Sequence, residues 1–217
     1  MISFIQNLLI KLLYPESITR LPADRKVVYL SFDDGPHPAI TPAVLHLLAK
    51  YKAKATFFLI GSRVEKYSGI YQRILEQGHT VGNHTMNHEK GWVTSAEAYV
   101  KSVESTASLV DSGYFRPPYG KCSRKQYKLL KGKFRFVYWD VLAEDWNCKL
   151  SGELCYKKVI KNCKNGSVVV LHDSEKAWPR LQIALPLILE SLKAKGYVFE
   201  SLPSKPLSKH LHEVQND

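Results

Sequence analysis

The chain has 217 residues, 45% hydrophobic and 24% charged, a length and composition that suit one domain with a sizeable core. Its formal net charge of +11 admits nucleic acid, an anionic membrane surface or an acidic cell-wall polymer as partner. Aromatic stacking motifs of the ribonucleoprotein kind are absent, which sets nucleic acid aside.

The amino-terminal stretch Met1 to Tyr14 is rich in Ile, Leu and Phe, with Ser3, Asn7 and Lys11 as a polar stripe at helical spacing. Its longest uncharged run falls well short of the ~20 residues that span a bilayer. No basic residue precedes it and no small-x-small site follows, so neither a membrane span nor a cleavable signal is expected. The expectation is a helix covering one end of the fold, with an interfacial helix on a membrane as the alternative. The divisions expected are an apolar segment 1–25, a catalytic domain 26–202 and a mobile tail 203–217, in a monomer that is cytoplasmic or peripheral to a membrane.

Strand-like and helix-like segments then alternate, which predicts βα units around a parallel sheet. Seven strands are expected: Val27 to Phe32, Ala55 to Ile60, Thr80 to Asn83, Tyr114 to Arg116, Lys133 to Trp139, Ser167 to Leu171 and Tyr197 to Glu200. Thr41-Pro42 predicts an N-cap and first helical position, opening a helix toward Lys54. A helix from Tyr67 to Gln77 should stop at Gly78, and Thr94 with Glu97 forms a capping box for a helix toward Val110. Between Lys121 and Arg135 lie seven basic residues and no acidic one. A solvated helix face explains them most simply, and a basic rim beside an active site is the functional alternative. The four cysteines, Cys122, Cys148, Cys155 and Cys163, lack C-x-x-C spacing and are expected as buried free thiols, leaning toward a reducing compartment.

Two features suggest a metal site. Asp33 and Asp34 close an apolar strand, a costly place for carboxylates unless a cation offsets their desolvation. Some fifty residues later His84 and His88 stand at i and i+4, on one face if the segment turns helically. Three further runs, Arg116-Pro117-Pro118-Tyr119-Gly120, Trp139 to Trp146 and Val168 to Asp173, likewise fall at or after strand ends. Such placement fits a barrel with its active site in the βα loops, although an open doubly wound sheet has the same pattern.

In this order the five motifs resemble those of the polysaccharide deacetylases, carbohydrate esterase family four, built on the NodB homology domain. The match spans roughly residues 26 to 201. It implies an α/β fold, an irregular, partly open (β/α) barrel of about seven parallel strands. It also implies one divalent metal, Zn2+ with Co2+ as the alternative, held by Asp34, His84 and His88. By the same resemblance Asp33 is the general base, Arg116 its cationic partner, and the backbone N–H of Tyr119 an oxyanion donor. His172 is the general acid, Asp145 belongs to the catalytic set, and Trp146, Val170, Pro117 and Tyr119 contact substrate. One position departs from the pattern. Leu142 stands where members with the D-x-x-D-W form carry an aspartate that tunes the catalytic histidine. Asp145 is then the nearest candidate to orient His172, and without a tuning carboxylate the imidazole is expected near its free pKa of ~6.5.

The expected activity is removal of N-acetyl groups from N-acetylhexosamine units of a peptidoglycan- or chitin-like glycan. Alternatives are deacetylation or deformylation of a lipid-linked amino sugar, O-acetyl ester hydrolysis, and a degenerate sugar-binding module without catalysis.

Overall fold

A computed structural model describes residues 9–203. The first eight residues of the apolar segment, and the tail expected from 203 onward except its first residue, lie outside the described residues.

One parallel sheet curls through the molecule. Its strands are β1 (Val27–Asp33), β2 (Ala55–Leu59), β3 (Thr80–Asn83), β4 (Tyr114–Phe115), β5 (Arg135–Phe136), β6 (Val141–Leu142), β7 (Ser167–His172) and β8 (Val198–Phe199). The path runs β5-β4-β3-β2-β1-β7-β6, and β8 pairs with the start of β1. β5 and β6 do not pair with each other, so the barrel is partly open, as expected. The gap is bridged near its base by residues 18–21: Ile18 pairs with Val137 and Arg20 with Ser167. Seven strands were expected, and the one missed is β6. Only two residues long, it carries too little alternation to stand out from the loop containing it.

Strand periodicity decides what enters the barrel. Because side chains alternate in direction along a strand, Val28, Leu30 and Phe32 of β1 pack outward in the main helix-covered core. Val27 and Tyr29 join Phe58, Tyr114, Val137 and Val168 in a second cluster on the opposite face, inside the barrel. Continuing this parity, Ser31 and Asp33 of β1, Val170 and His172 of β7, His84 after β3 and Arg116 after β4 point inward. Register brings them to one level, since Asp33 pairs with His172 and Asn83 with Phe115. Asp173, one residue past His172, is directed outward as alternation requires, and its carboxylate accepts a hydrogen bond from the Thr41 hydroxyl.

Helices α1 (Ile40–Lys50), α2 (Gly61–Lys66), α3 (Ser68–Glu76), α4 (Ala96–Ala107), α5 (Arg124–Leu130), α6 (Gly152–Asn162) and α7 (Trp178–Ala194) follow the strands. Several boundaries differ from expectation for local reasons. Thr41 does not cap α1, because its hydroxyl is engaged by Asp173 and by the His37 N–H at 2.8 Å; Ala39 is the N-cap. The same helix ends at Lys50 rather than Lys54, followed by Lys52 at φ 52°. The helix expected over Tyr67–Gln77 is α3, with the separate turn α2 ahead of it. Ser95, not Thr94, caps α4 by accepting from the Ala98 N–H at 3.2 Å, and α4 stops at Ala107 short of Val110.

Residues 9–13 are helical. Ile10 and Tyr14 are buried in an aromatic cluster with Tyr99, Phe115, Tyr127 and Phe136, so this described part packs against the domain. No helix among the described residues is long and apolar enough to cross a membrane. All four cysteines are free, but only Cys155 is buried and Cys148 is exposed, which corrects the expectation that all would be interior. Three of the seven basic residues are paired at the surface: Lys125 with Glu97, Lys131 with Glu16 and Lys133 with Glu104. The stretch is mainly a solvated face, with Lys121 alone of the seven lining the cavity described below.

Gly82 of β3 makes room inside the barrel for the Phe58 ring, which lies against Arg116. A Cβ at position 82 would stand 2.5 Å from Phe58 Cδ1 and Cε1. Gly82→Ala should therefore destabilise the fold by about 1–3 kcal/mol in urea denaturation, the usual cost of overpacking a filled core. An unchanged midpoint would show that the ring can retreat.

Candidate active site

A cavity of about 550 Å3 opens at the carboxyl ends of the strands, lined by Asp33, Asp34, His84, His88, Val170 and His172 at its base. Trp92, Tyr119, Lys121, Trp139, Trp146 and Lys176 surround its mouth, and Leu142 forms part of one wall. Pro117 is buried and is not among the lining residues, so the substrate contact expected of it is not what the structure places there.

Asp34, His84 and His88 converge, with one ligand-capable atom from each lying within 4.8 Å of the others. Asp34 Oδ1 is 3.2 Å from His88 Nε2 and 3.8 Å from His84 Nε2. It is a buried oxygen without a hydrogen-bond partner among the described residues. A buried carboxylate oxygen facing two imidazole nitrogens suits a cation, and this donor set of one carboxylate and two imidazoles fits a divalent metal. His84 Nδ1 donates to the carbonyl of Arg116 at 2.7 Å, which leaves the lone pair on Nε2 directed at Asp34. Burial lowers the His84 pKa to about 4, outweighing the neighbouring aspartates, so the imidazole is neutral as a ligand must be. Burial raises the Asp34 pKa, but the His88 contact and the nearby His172 charge hold it below the usual carboxylate range.

The two histidines do not share a helical face, contrary to expectation. Thr85 at φ 67° and His88 at φ 59° reverse the chain in the left-handed region, and the ring centroids come within 5.1 Å. The turn is braced by Asn83, whose Oδ1 accepts from the Thr85 N–H at 2.9 Å while Nδ2 donates to the Val103 carbonyl at 2.8 Å. Asp34, Tyr119 and Glu144 also have positive φ. Backbone strain is thus concentrated around the cavity.

Arg116 is fully buried and extends across the barrel interior. Its Nη1 donates to Asp33 Oδ1 at 2.6 Å and to Ser31 Oγ at 2.9 Å, Nε to the Val137 carbonyl and Nη2 to the Tyr138 carbonyl, both at 3.1 Å. The guanidinium centre lies 3.9 Å from the centroid of the Phe58 ring. Arg116 and Asp145 do not line the cavity; they act on it through Asp33 and His172.

Asp145 resolves what orients His172. Its Oδ1 accepts from His172 Nδ1 at 2.7 Å and its Oδ2 from the His172 backbone N–H at 2.8 Å, leaving Nε2 for the cavity. Arg180 of α7, which the sequence did not single out, donates from Nε to the Asp145 carbonyl at 2.7 Å and steadies that loop. Burial alone would lower the His172 pKa, but the Asp145 charge and hydrogen bond, reinforced by Asp34 and Asp33, raise it to about 9. The expectation of an untuned, free-imidazole value is therefore corrected: Leu142 is no carboxylate, but Asp145 supplies the charge.

Comparison with known proteins agrees with this geometry. A family model described as polysaccharide deacetylase matches residues 20–133. A peptidoglycan-N-acetylglucosamine deacetylase of Bacillus cereus is 35% identical over 198 residues, covering 88% of this chain and 92% of that protein. The crystal structure of the peptidoglycan N-acetylglucosamine deacetylase Bc1960 superposes with a TM-score of 0.81 at 31% identity, over 93% of this chain and 94% of that one. A family 4 acetyl xylan esterase from Clostridium thermocellum, solved with a cobalt ion, superposes with a TM-score of 0.73 at 32% identity, over 81% of this chain and 88% of that one.

Because the folded pKa of His172 is raised, the stability contributed by its protonated pair with Asp145 is fully present below the unfolded value of ~6.5. It is lost as pH rises through about 9. Titrated by NMR in the metal-free protein, His172 should have its midpoint near that value. In Asp145→Asn the midpoint should fall below ~6.5, because desolvation then dominates. Equal midpoints in the two proteins would remove Asp145 as the cause.

Proposed function

The chain belongs to the polysaccharide deacetylase family, and from that premise we propose that it is a metal-dependent hydrolase removing the N-acetyl group from hexosamine units of peptidoglycan. The observation that carries this reading is the juxtaposition, in one cavity, of the Asp34–His84–His88 cluster, the Arg116-bound carboxylate of Asp33 and the Asp145-bound imidazole of His172. A degenerate sugar-binding module would have no use for an arginine-bound carboxylate and a raised-pKa acid side by side in one cavity.

A divalent metal held by Asp34, His84 and His88 would supply Lewis-acid polarisation and charge stabilisation for hydrolysis. Zinc suits the donor set, with cobalt as the alternative. Asp33, hydrogen-bonded to the guanidinium of Arg116, accepts the proton of the attacking water as its oxygen adds to the amide carbonyl carbon. The carbonyl oxygen gains negative charge, and the backbone N–H of Tyr119 donates to it. His172 then delivers the proton on Nε2 to the sugar nitrogen as the C–N bond breaks, leaving acetate and a free amine. A pKa raised to about 9 keeps this acid protonated at neutral pH. Val170 and Trp146 offer apolar surface at the base and mouth for the acetyl methyl group. Trp92 and Tyr119, packed edge to face with ring centroids 5.2 Å apart, provide exposed aromatic surface at the mouth against which a pyranose can pack.

Acetate release from peptidoglycan by the zinc-loaded protein, set beside chitooligosaccharide and acetylxylan, tests the assignment directly. Asp33→Asn should lower turnover by about 10² to 10⁴ with zinc still bound. His84→Ala and His88→Ala should lose zinc while remaining folded, as read by metal content and circular dichroism. Zinc lost from Asp33→Asn and kept in the histidine variants would exchange the roles assigned here.

A further inference from the structure

A second cleft, of about 450 Å3, adjoins the catalytic cavity, and Asp34 and Lys176 line both. Its other walls are Pro36, His37, Arg63, Lys66, Tyr67, Ser174 and Glu175. Three of these side chains are permanent cations. Arg63 is held in place by donating from Nη1 to the Asp34 carbonyl oxygen at 2.8 Å, which leaves the rest of its guanidinium fork without a hydrogen-bond partner among the described residues. Lys66 and Lys176 also have no carboxylate partner there; Lys176 instead lies 5.6 Å over the Trp146 ring. The one carboxylate in the cleft besides Asp34 is Glu175, 86% exposed, which contacts His37 Nε2 at 3.2 Å. Asp34 directs its own carboxylate at the imidazoles on the catalytic side.

Unanswered cations gathered around a concave surface, with a guanidinium fixed by its own backbone contact, are suited to an anion. The cleft shares a wall with the cavity that takes the reacting sugar, so a glycan running out of that cavity past Asp34 carries its next residue into the cleft. We propose that Arg63, Lys66 and Lys176 form a subsite for a carboxylate on the sugar adjacent to the one being deacetylated. The specificity this confers is for an acidic amino-sugar polymer over a neutral one. In peptidoglycan strands freed of their stem peptides the lactyl ether of muramic acid supplies such a carboxylate on alternate sugars; chitin has none. The inference rests on the deacetylase reading above and deepens it by naming what the substrate must carry.

Three substrates of equal length separate the possibilities: a tetrasaccharide alternating N-acetylglucosamine and N-acetylmuramic acid, the same compound with its carboxyl groups amidated, and the N-acetylglucosamine tetramer. The zinc-loaded full chain should favour the acidic tetrasaccharide over its amide by about tenfold in kcat/KM, with the preference residing in KM and shrinking as salt screens the contact. Lys66→Gln, at a residue that lines the second cleft and not the catalytic cavity, should cut that ratio by about threefold to tenfold, and Lys66→Arg should restore it. Equal turnover of acid and amide by the wild type, or a ratio that Lys66→Gln leaves unmoved, would overturn the subsite. Calorimetric binding of acid and amide to the same protein reads the subsite without turnover. Should no substrate be hydrolysed, the deacetylase reading falls, while tighter binding of the acid that Lys66→Gln abolishes still supports the anion site and equal affinities overturn it.

Discussion

The architecture of the site depends on one buried cation. Arg116 carries a permanent charge into the barrel interior at zero exposure, a placement that costs several kcal/mol per ion unless every donor is answered. Here all of its nitrogens are engaged: Asp33 and Ser31 from β1, the carbonyls of Val137 and Tyr138 beyond β5, and the face of Phe58 from β2. The guanidinium thus ties together strands that are far apart in the sheet path, and it pairs with Asp33 beside a second carboxylate. Its own carbonyl accepts from His84, so the same residue sets the tautomer of a metal-ligand candidate.

Around this centre the fold divides labour by strand parity. Outward positions of β1 and β7 build the helix-covered core, while inward positions one residue away end in chemistry: Asp33 on one strand, His172 on its neighbour in register. The strands are rigid and buried, so the distances between base and acid are inherited from sheet geometry. Loops add the remainder at some cost in backbone strain, with left-handed Asp34, Thr85, His88 and Tyr119 bending the chain toward one another. The acid is assembled in the same manner, since Asp145 reaches His172 from the loop after β6 and is steadied from behind by Arg180.

Much of this was legible in the sequence because ionisable residues at strand ends stand out from apolar runs. The paired aspartates, the two histidines, Arg116 and His172 could be picked out individually, and the strands that carry them are long enough to show a period. What escaped detection is what depends on three-dimensional encounter. The His84–His88 pair has helical spacing but is brought together by two left-handed residues. Thr41 looks like a helix cap until Asp173, far along the chain, claims its hydroxyl. Position 142 suggested an untuned imidazole, since an alignment cannot show that the carboxylate three residues on reaches both the ring Nδ1 and the backbone N–H of His172. The cations Arg63, Lys66 and Lys176, without carboxylate partners among the described residues, come from two separate segments with no local charge run, whereas the conspicuous basic stretch places only Lys121 at the cavity.

The dependence on Arg116 is measured most directly by a stability cycle on Arg116→Met, Asp33→Asn and the double variant, followed by urea denaturation. Removing the guanidinium alone strands a buried carboxylate and should cost about 3–5 kcal/mol. Removing both charges relieves that penalty, so the double variant should be more stable than Arg116→Met by about 2 kcal/mol. Losses that simply add, with the double variant the least stable of the three, would contradict the claim that the buried pair holds the site together.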